Sequence, residues 1–254
     1  MGIEEYLNKI VCGDCIKVMQ GMPDESIDLV CTSPPYNIGV KYDNYEDNLL
    51  LEDYLNWSLN WLKECKRVLK VGGRIAVNVL MEGNLHQRGG RISMFAEYYS
   101  LFKQAGLLYH AVASLKEKSP QRSRHTAWGS YLSASSPYIY NPTEVVIIGY
   151  KEKWRKVIKG VSTITKEEFI KAVSGIWDYN AETRGLTKVN FSLSLPLQAI
   201  KILTYKDDIV LDPFCGSGTT CLACKQTGRN YIGIDISDKY CEIAEKRLNS
   251  EYRE

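Results

Sequence analysis

The chain of 254 residues has no run of eighteen apolar residues, which excludes a membrane-spanning helix. Its start, Met1-Gly2-Ile3-Glu4-Glu5-Tyr6, lacks the basic and apolar regions of a secretory signal, so a cytoplasmic location is expected. No internal repeat, low-complexity tract or linker divides it, and residues 1–254 read as one domain. Histidine is scarce, at three residues, which leaves few imidazoles for a metal centre. Net charge is also nearly missing, because 32 basic and 30 acidic residues leave +2. That excludes a uniformly basic nucleic-acid binder. What is present is ordinary globular composition, 44% hydrophobic and 24% charged, in a chain long enough to bury a core without disulfide staples.

The small net charge is a sum of unlike parts. Residues 1–60 hold Lys9, Lys17 and Lys41 against eleven acids, a net of −8, so the remainder carries +10. Positive charge gathers in 81–130 and in 151–171, each with seven Lys or Arg and three acids. A chain so divided can still present a basic face to DNA. Lys151, Lys153, Arg155 and Lys156 are candidate phosphate contacts. The eight cysteines include the spacings Cys12/Cys15 and Cys221/Cys224. The first pair ends a strand and the second lies in a helical pattern. Neither is the tight knuckle that presents thiolates to zinc, so they read as buried small hydrophobes and no metal is expected.

Short apolar runs alternate with helical patterns, which predicts α/β architecture with a largely parallel sheet. Seven strands are expected, at 9–12, 27–32, 74–79, 107–115, 144–150, 208–212 and 230–234. Leu55, Leu59, Leu62, Cys65 and Leu69 recur at helical spacing, and Gly72-Gly73 should end that helix. Thr165 and Glu168 form a candidate capping box. Pro196 suits a helix start, Gly228 should close a helix from Ser217, and Ser237 should cap the last one. The stretch 81–142, rich in Gly, Ser, Arg and aromatics, fits this rhythm poorly and is a candidate recognition insertion.

Two segments carry chemistry. In Asp212-Pro213-Phe214-Cys215-Gly216-Ser217-Gly218-Thr219-Thr220 a strand runs into a glycine turn and then a helix, whose free N–H groups can approach a ligand. It is no phosphate loop, because no Lys follows the glycines, and Cys221 stands where a dinucleotide fingerprint needs its third Gly. The next strand ends in Gly233-Ile234-Asp235, and an acid there can accept from both ribose hydroxyls. Together they suggest an adenosine-containing cofactor. The second segment is Thr32-Ser33-Pro34-Pro35-Tyr36, directly after a strand. Two prolines hold it extended and leave the carbonyls of Ser33 and Pro34 as acceptors. The Ser33 hydroxyl adds another acceptor, and Tyr36 offers a flat stacking face, a combination suited to a heterocycle bearing an amino group.

Ser33-Pro34-Pro35-Tyr36 and Asp212–Thr220 resemble the catalytic and cofactor motifs of DNA amino-methyltransferases. The catalytic motif comes first, as in the permuted β class. Cys12-Gly13-Asp14-Cys15, Leu69–Val77, Ala127–Leu132, Glu144–Tyr150 and Asn190–Leu203 are similar to further segments of that family, with Leu195-Pro196 in place of the usual Phe-Pro. The likeness spans nearly the whole chain. It implies a Rossmann-like, seven-stranded, circularly permuted sheet, with S-adenosylmethionine (SAM) as cofactor and double-stranded DNA as partner. It implies methyl transfer to the exocyclic amino group of a flipped-out base, held by Ser33, Pro34, Pro35 and Tyr36. On the cofactor side it implies Asp14, Thr32, Asp212, Pro213, Phe214, Gly216, Gly218, Thr219, Asp235 and Ile236. Arg88, Arg91, Arg122, Arg124 and Trp128 are the expected target readers within 81–142. Ser at the first position resembles cytosine-N4 enzymes more than adenine-N6 enzymes, which usually have Asp there. Adenine-N6 transfer is the alternative, and a SAM-containing DNA-binding module without catalysis is an alternative of another class. No Pro-Cys motif suggests cytosine C5 chemistry, and Cys215 reads as packing. A homodimer and a cognate restriction endonuclease are possible partners.

Overall fold

A computed structural model describes residues 2–40, 45, 47–85, 90–117, 141, 143–179 and 192–250. The strands are β1 (Lys9–Cys12), β2 (Ile27–Thr32), β3 (Leu69–Leu80), β4 (Gly83–Leu85), β5 (Gly90–Ile92), β6 (Leu108–Glu117), β7 (Glu144–Tyr150), β8 (Ile176–Tyr179), β9 (Ile209–Asp212) and β10 (Asn230–Asp235). The helices are α1 (Cys15–Gln20), α2 (Leu51–Val68), α3 (Met94–Ala105), α4 (Lys166–Ala172), α5 (Ser194–Leu203), α6 (Thr219–Thr227) and α7 (Asp238–Ser250).

Eight strands form one sheet in the order β1-β10-β9-β2-β3-β7-β6-β8, while β4 and β5 make a separate hairpin. Only β7 runs against the rest. The first and last described strands, β1 and β10, are parallel neighbours. The seven expected strands are all present. The eighth, β8, is an edge strand of four residues with no alternation pattern long enough to mark it.

Central strands read as near-continuous apolar runs because both faces are covered. In β2, Ile27 and Val30 pack toward α1, α2 and α3, while Leu29 and Cys31 pack toward α5 and α6. The α2 helix buries Tyr54, Ser58, Trp61, Leu62, Cys65 and Val68, so its inner stripe is rotated from the expected leucine stripe, with Leu55 and Leu59 at its margin. That helix also ends earlier than expected. Leu69 already begins β3, and Gly72-Gly73 forms a bulge where residues 70–73 interrupt the pairing with β2. The Thr165 capping box and the Gly228 cap form as expected. Ser237 Oγ accepts from Tyr240 N at the start of α7. Pro196 lies in the first turn of α5, and α6 begins at Thr219 rather than Ser217. Of the stretch 81–142, residues 94–117 are α3 and β6, parts of the main layers.

Trp61 is fully buried between α2, Tyr98 and Phe214. Trp61→Ala should cost about 3–5 kcal/mol of stability, read as a lowered midpoint in urea unfolding.

Candidate active site

Parallel strands deliver their carboxyl ends to one edge of a sheet, the usual place for a ligand in such folds. A cleft of about 290 Å³ opens there, at the small end of the range for small-molecule sites. β1 leads into Gly13 and Asp14, β2 into Ser33–Tyr36, β9 into Pro213–Gly216 and β10 into Ile236, and all of these residues line it. β7 is reversed, so its first residue, Glu144, reaches the same edge and lines the cleft beside Asn78 of β3.

One half of the cleft is built on Asp212 and Asp235. Asp212 is 4% exposed, and its Oδ1 accepts from Thr32 Oγ1 at 2.6 Å and from Phe214 N at 3.1 Å. Burial pushes its carboxyl up to about 6 against those bonds. No ion pair among the described residues includes it, so a buried carboxylate faces the cleft without a cation. Asp235 accepts from Gly216 N and Ser237 N, each at 2.9 Å, and burial raises its carboxyl as well. The two glycines of the turn differ in use. Gly216, at φ +51°, has open space where a Cβ would stand, so its backbone faces the cleft. Gly218, at φ +77°, lies behind the wall, where a Cβ would meet that of Ala244 at 3.0 Å. Gly218 and Thr32 are therefore supports rather than lining. Phe214 forms the wall and rests on Trp57 and Trp61, with ring centroids 5.4 and 5.3 Å away. Pro213 and Thr219 line the cleft, Ile236 is half exposed there, and Asp14 caps α1 by accepting from Lys17 N at 3.0 Å. Cys215 is buried, and its bond to Cys221, then burial, push its thiol well above the ordinary range, so it offers no thiolate.

The other half is a polar cluster around Tyr36. Its hydroxyl lies 2.9 Å from Ser33 Oγ and donates to Glu144 Oε2 at 2.9 Å. Asn78 Nδ2 donates to both, at 2.7 Å to Tyr36 and 2.6 Å to Glu144. The Pro35 carbonyl accepts from Tyr54, whose hydroxyl also meets that of Tyr98 at 2.8 Å. Among the described residues no hydrogen bond consumes the Pro34 carbonyl, which stays an acceptor as expected. Asp47 holds the following turn by accepting from the backbone N–H of Asn37, Ile38 and Val40. Sequence reasoning gave Tyr36 a ring face but missed its hydroxyl partners. Asn78 carried one signal, a lone amide in the apolar run Ile75–Leu80. Glu144 carried none beyond opening a strand.

Arg88, Arg122, Arg124 and Trp128 lie outside the described residues. Arg91 is on β5 and pairs with Glu82 at 3.4 Å. The chain leaves β6 at Glu117 and reaches Thr143, just before β7, and both strand ends belong to the cleft edge. The basic stretch 151–171 is a correction. It follows the far end of β7, about 20 Å of strand from Glu144. Lys151 is buried and paired with Glu25, and Lys156 pairs with Asp28 and Asp208, so these two hold the fold together. Only Lys153 and Arg155 of the four are exposed.

The family model N6_N4_Mtase, described as DNA methylase, matches residues 27–246. The chain belongs to this family. Its members are DNA amino-methyltransferases that take their methyl group from SAM, and the protein is a SAM-dependent DNA methyltransferase of that kind. The Type II methyltransferase M.MjaVI of Methanocaldococcus jannaschii is 40% identical over 163 residues, 64% of this chain and 81% of its own. DNA adenine methyltransferase YhdJ of Escherichia coli is 25% identical over 94% of this chain and 82% of its own. The same fold occurs in TTHA0409 of Thermus thermophilus, solved in complex with SAM. The TM-score is 0.76 at 24% identity, covering 96% of this chain and 94% of that one. It also occurs in PvuII DNA methyltransferase (cytosine-N4-specific), with TM-score 0.72 at 21% identity over 96% and 90% of the two chains. The names of these proteins cover both target bases.

Proposed function

We propose that this DNA methyltransferase transfers the methyl group to N4 of a flipped-out cytosine. The observation that carries the reading is one cleft with two halves. Buried Asp212 and part-buried Asp235 stand on one side, and the acceptors of Ser33-Pro34 with the tethered Tyr36 ring stand on the other. SAM, when bound, supplies an electrophilic sulfonium methyl. The residues present fit it, since Asp212 is a buried carboxylate with no ion-pair partner among the described residues and Gly216 leaves its backbone open to a ligand. Asp212 would face the cationic amino-acid end and Asp235 the ribose hydroxyls, with Ile236 against the adenine ring.

An exocyclic amino group is a weak nucleophile because its lone pair is delocalised into the ring. Ser33 Oγ and the Pro34 carbonyl would accept its N–H bonds, drawing the lone pair out of conjugation and stabilising the charge that grows on nitrogen. Tyr36 would stack on the flipped base. No covalent enzyme intermediate is required, consistent with the un-ionised Cys215. A neutral hydroxyl at the first position, as in cytosine-N4 enzymes, supports cytosine. Glu144 supports the second reading, adenine N6, because it returns a carboxylate to the same cluster. Target reading is assigned to Arg88, Arg91, Arg122, Arg124 and Trp128 in 81–142, and a homodimer or a cognate endonuclease would be further partners.

Methyl-tritiated SAM should label DNA of mixed sequence, and absence of label across sequences and salt concentrations would overturn the reading. Asp235→Ala should raise the dissociation constant for SAM about tenfold or more, since a charged acceptor of two hydroxyls is lost. Unchanged affinity in a calorimetric titration would remove Asp235 from the ribose.

A further inference from the structure

Methyl transfer leaves the target nitrogen with one proton too many, and that proton needs a path. The hydrogen-bond polarity around Tyr36 provides one. An ionised carboxylate only accepts, so the Tyr36 hydrogen is committed to Glu144 Oε2, and Tyr36 Oη is left as an acceptor. It receives Asn78 Nδ2–H at 2.7 Å, and its contact with Ser33 Oγ at 2.9 Å is then made with the Ser33 hydrogen pointing at Tyr36. Ser33 therefore turns its lone pairs away from the cluster, toward an incoming amino group. Every hydrogen in the chain points the same way, from the cleft toward Glu144.

We propose that Glu144 is the terminal proton acceptor of the reaction, reached from the target amino group through the hydroxyls of Ser33 and Tyr36. The inference rests on the function proposed above. The nitrogen lone pair forms the new N–C bond while the C–S bond gives its electron pair to sulfur. As that bond forms, the nitrogen passes one proton to Ser33 Oγ. Ser33 passes its own to Tyr36 Oη, and Tyr36 passes its own to Glu144 Oε2. Three protons each move one place, the two hydroxyls are regenerated, and one carboxylate becomes a carboxylic acid. Asn78 is the positioning residue. It is 2% exposed and donates to both Tyr36 and Glu144, holding the two oxygens in register. Glu144 is at the cleft edge only because β7 is reversed, and it lines the cleft, so water can recover its proton.

The test compares Tyr36→Phe and Glu144→Ala with wild type. Wild-type enzyme that fails to label DNA defeats the proposed function, whereas the relay is judged only on enzyme that does. With the methylated site mapped and its target replaced by 2-aminopurine, both variants should still flip the base by fluorescence. They should also bind SAM within about twofold by calorimetry. Single-turnover methyl transfer should fall about a hundredfold in each, the usual contribution of a positioned proton acceptor. Added formate or acetate should restore Glu144→Ala in proportion to concentration, more steeply for the more basic acid, and should not restore Tyr36→Phe. A carboxylate that only braced Tyr36 would give saturating rescue indifferent to base strength. That result, or wild-type rates in either variant, would overturn the relay. If Glu144→Ala unfolds, Tyr36→Phe decides alone, since it removes one oxygen and keeps the ring.

Discussion

Tyr36→Ala should abolish most methyl transfer while leaving SAM affinity unchanged. Two contributions are lost together. The ring that would hold the flipped base disappears, worth about 1–3 kcal/mol for stacking alone. The hydroxyl that orders Ser33, Asn78 and Glu144 goes with it. Single-turnover rates should fall about a hundred- to a thousandfold, in the range found when one preorganised hydrogen-bonding group is removed from an active site. Calorimetry should find SAM binding within about twofold, because Asp212, Asp235 and Gly216 lie on other strand ends. Base flipping, read by 2-aminopurine fluorescence, should weaken, unlike in Tyr36→Phe. A rate close to wild type would remove Tyr36 from the base site.

Asp212→Asn should move stability and affinity in opposite directions. The carboxyl titrates at about 6 when folded, against 3.8 for an exposed aspartate. Between those values the folded chain holds a proton that the unfolded chain has lost. The group's stability is thus fully present below about 3.8 and is lost as pH rises through 6. At pH 7 the free protein carries an ionised buried carboxylate, a burden of about 3 kcal/mol by linkage. Asn removes the charge, and its carbonyl can still accept from Thr32 and Phe214, which both address Oδ1. The variant should unfold several degrees higher than wild type at pH 7, with the difference shrinking toward pH 4. SAM affinity should fall at least about tenfold, because the cationic end loses its counter-ion. In wild type, SAM should bind more weakly below pH 6 and should expel a proton there, seen as a dependence of binding heat on buffer ionisation. A variant that binds SAM normally would detach Asp212 from the amino-acid end.

These effects divide the molecule along the line between what the sequence displays and what topology adds. The central strands were legible because burial on both faces writes itself as unbroken Val, Ile and Leu. Asp212, Gly216 and Asp235 were legible because each sits where a strand ends and a turn begins. Gly218 belongs to the same turn but serves packing against Ala244, a difference that spacing does not encode. The α2 stripe was shifted because Tyr54 and Trp61 share its inner face with Leu62, leaving Leu55 and Leu59 at the margin. Asn78 and Glu144 were the larger omission. Their neighbours in sequence are strand residues; Asn78 meets Tyr36 because β3 runs parallel beside β2, and Glu144 meets it because the reversed β7 pairs with β3. The same reversal sends Lys151 and Lys156 to the far edge, where charge that read as phosphate-binding forms ion pairs with Glu25, Asp28 and Asp208. Counting charge along the chain locates it in sequence, while strand direction decides which edge it reaches.

The near-zero net charge takes its meaning from this arrangement. Part of the acidic first sixty residues is structural, since Asp47 holds the turn after Tyr36 and Asp28 anchors Lys70. A uniform basic field is unnecessary if DNA is read by residues emerging at the cleft edge.

The most direct test of the account is the identity of the methylated nucleoside. DNA incubated with the enzyme and methyl-labelled SAM is digested and its nucleosides are resolved by mass and retention. N4-methylcytosine is the expected product. N6-methyladenine would keep the amino-transfer chemistry and reverse the choice of base, whereas 5-methylcytosine or unlabelled DNA would contradict direct transfer to an amino group held by Ser33, Pro34 and Tyr36.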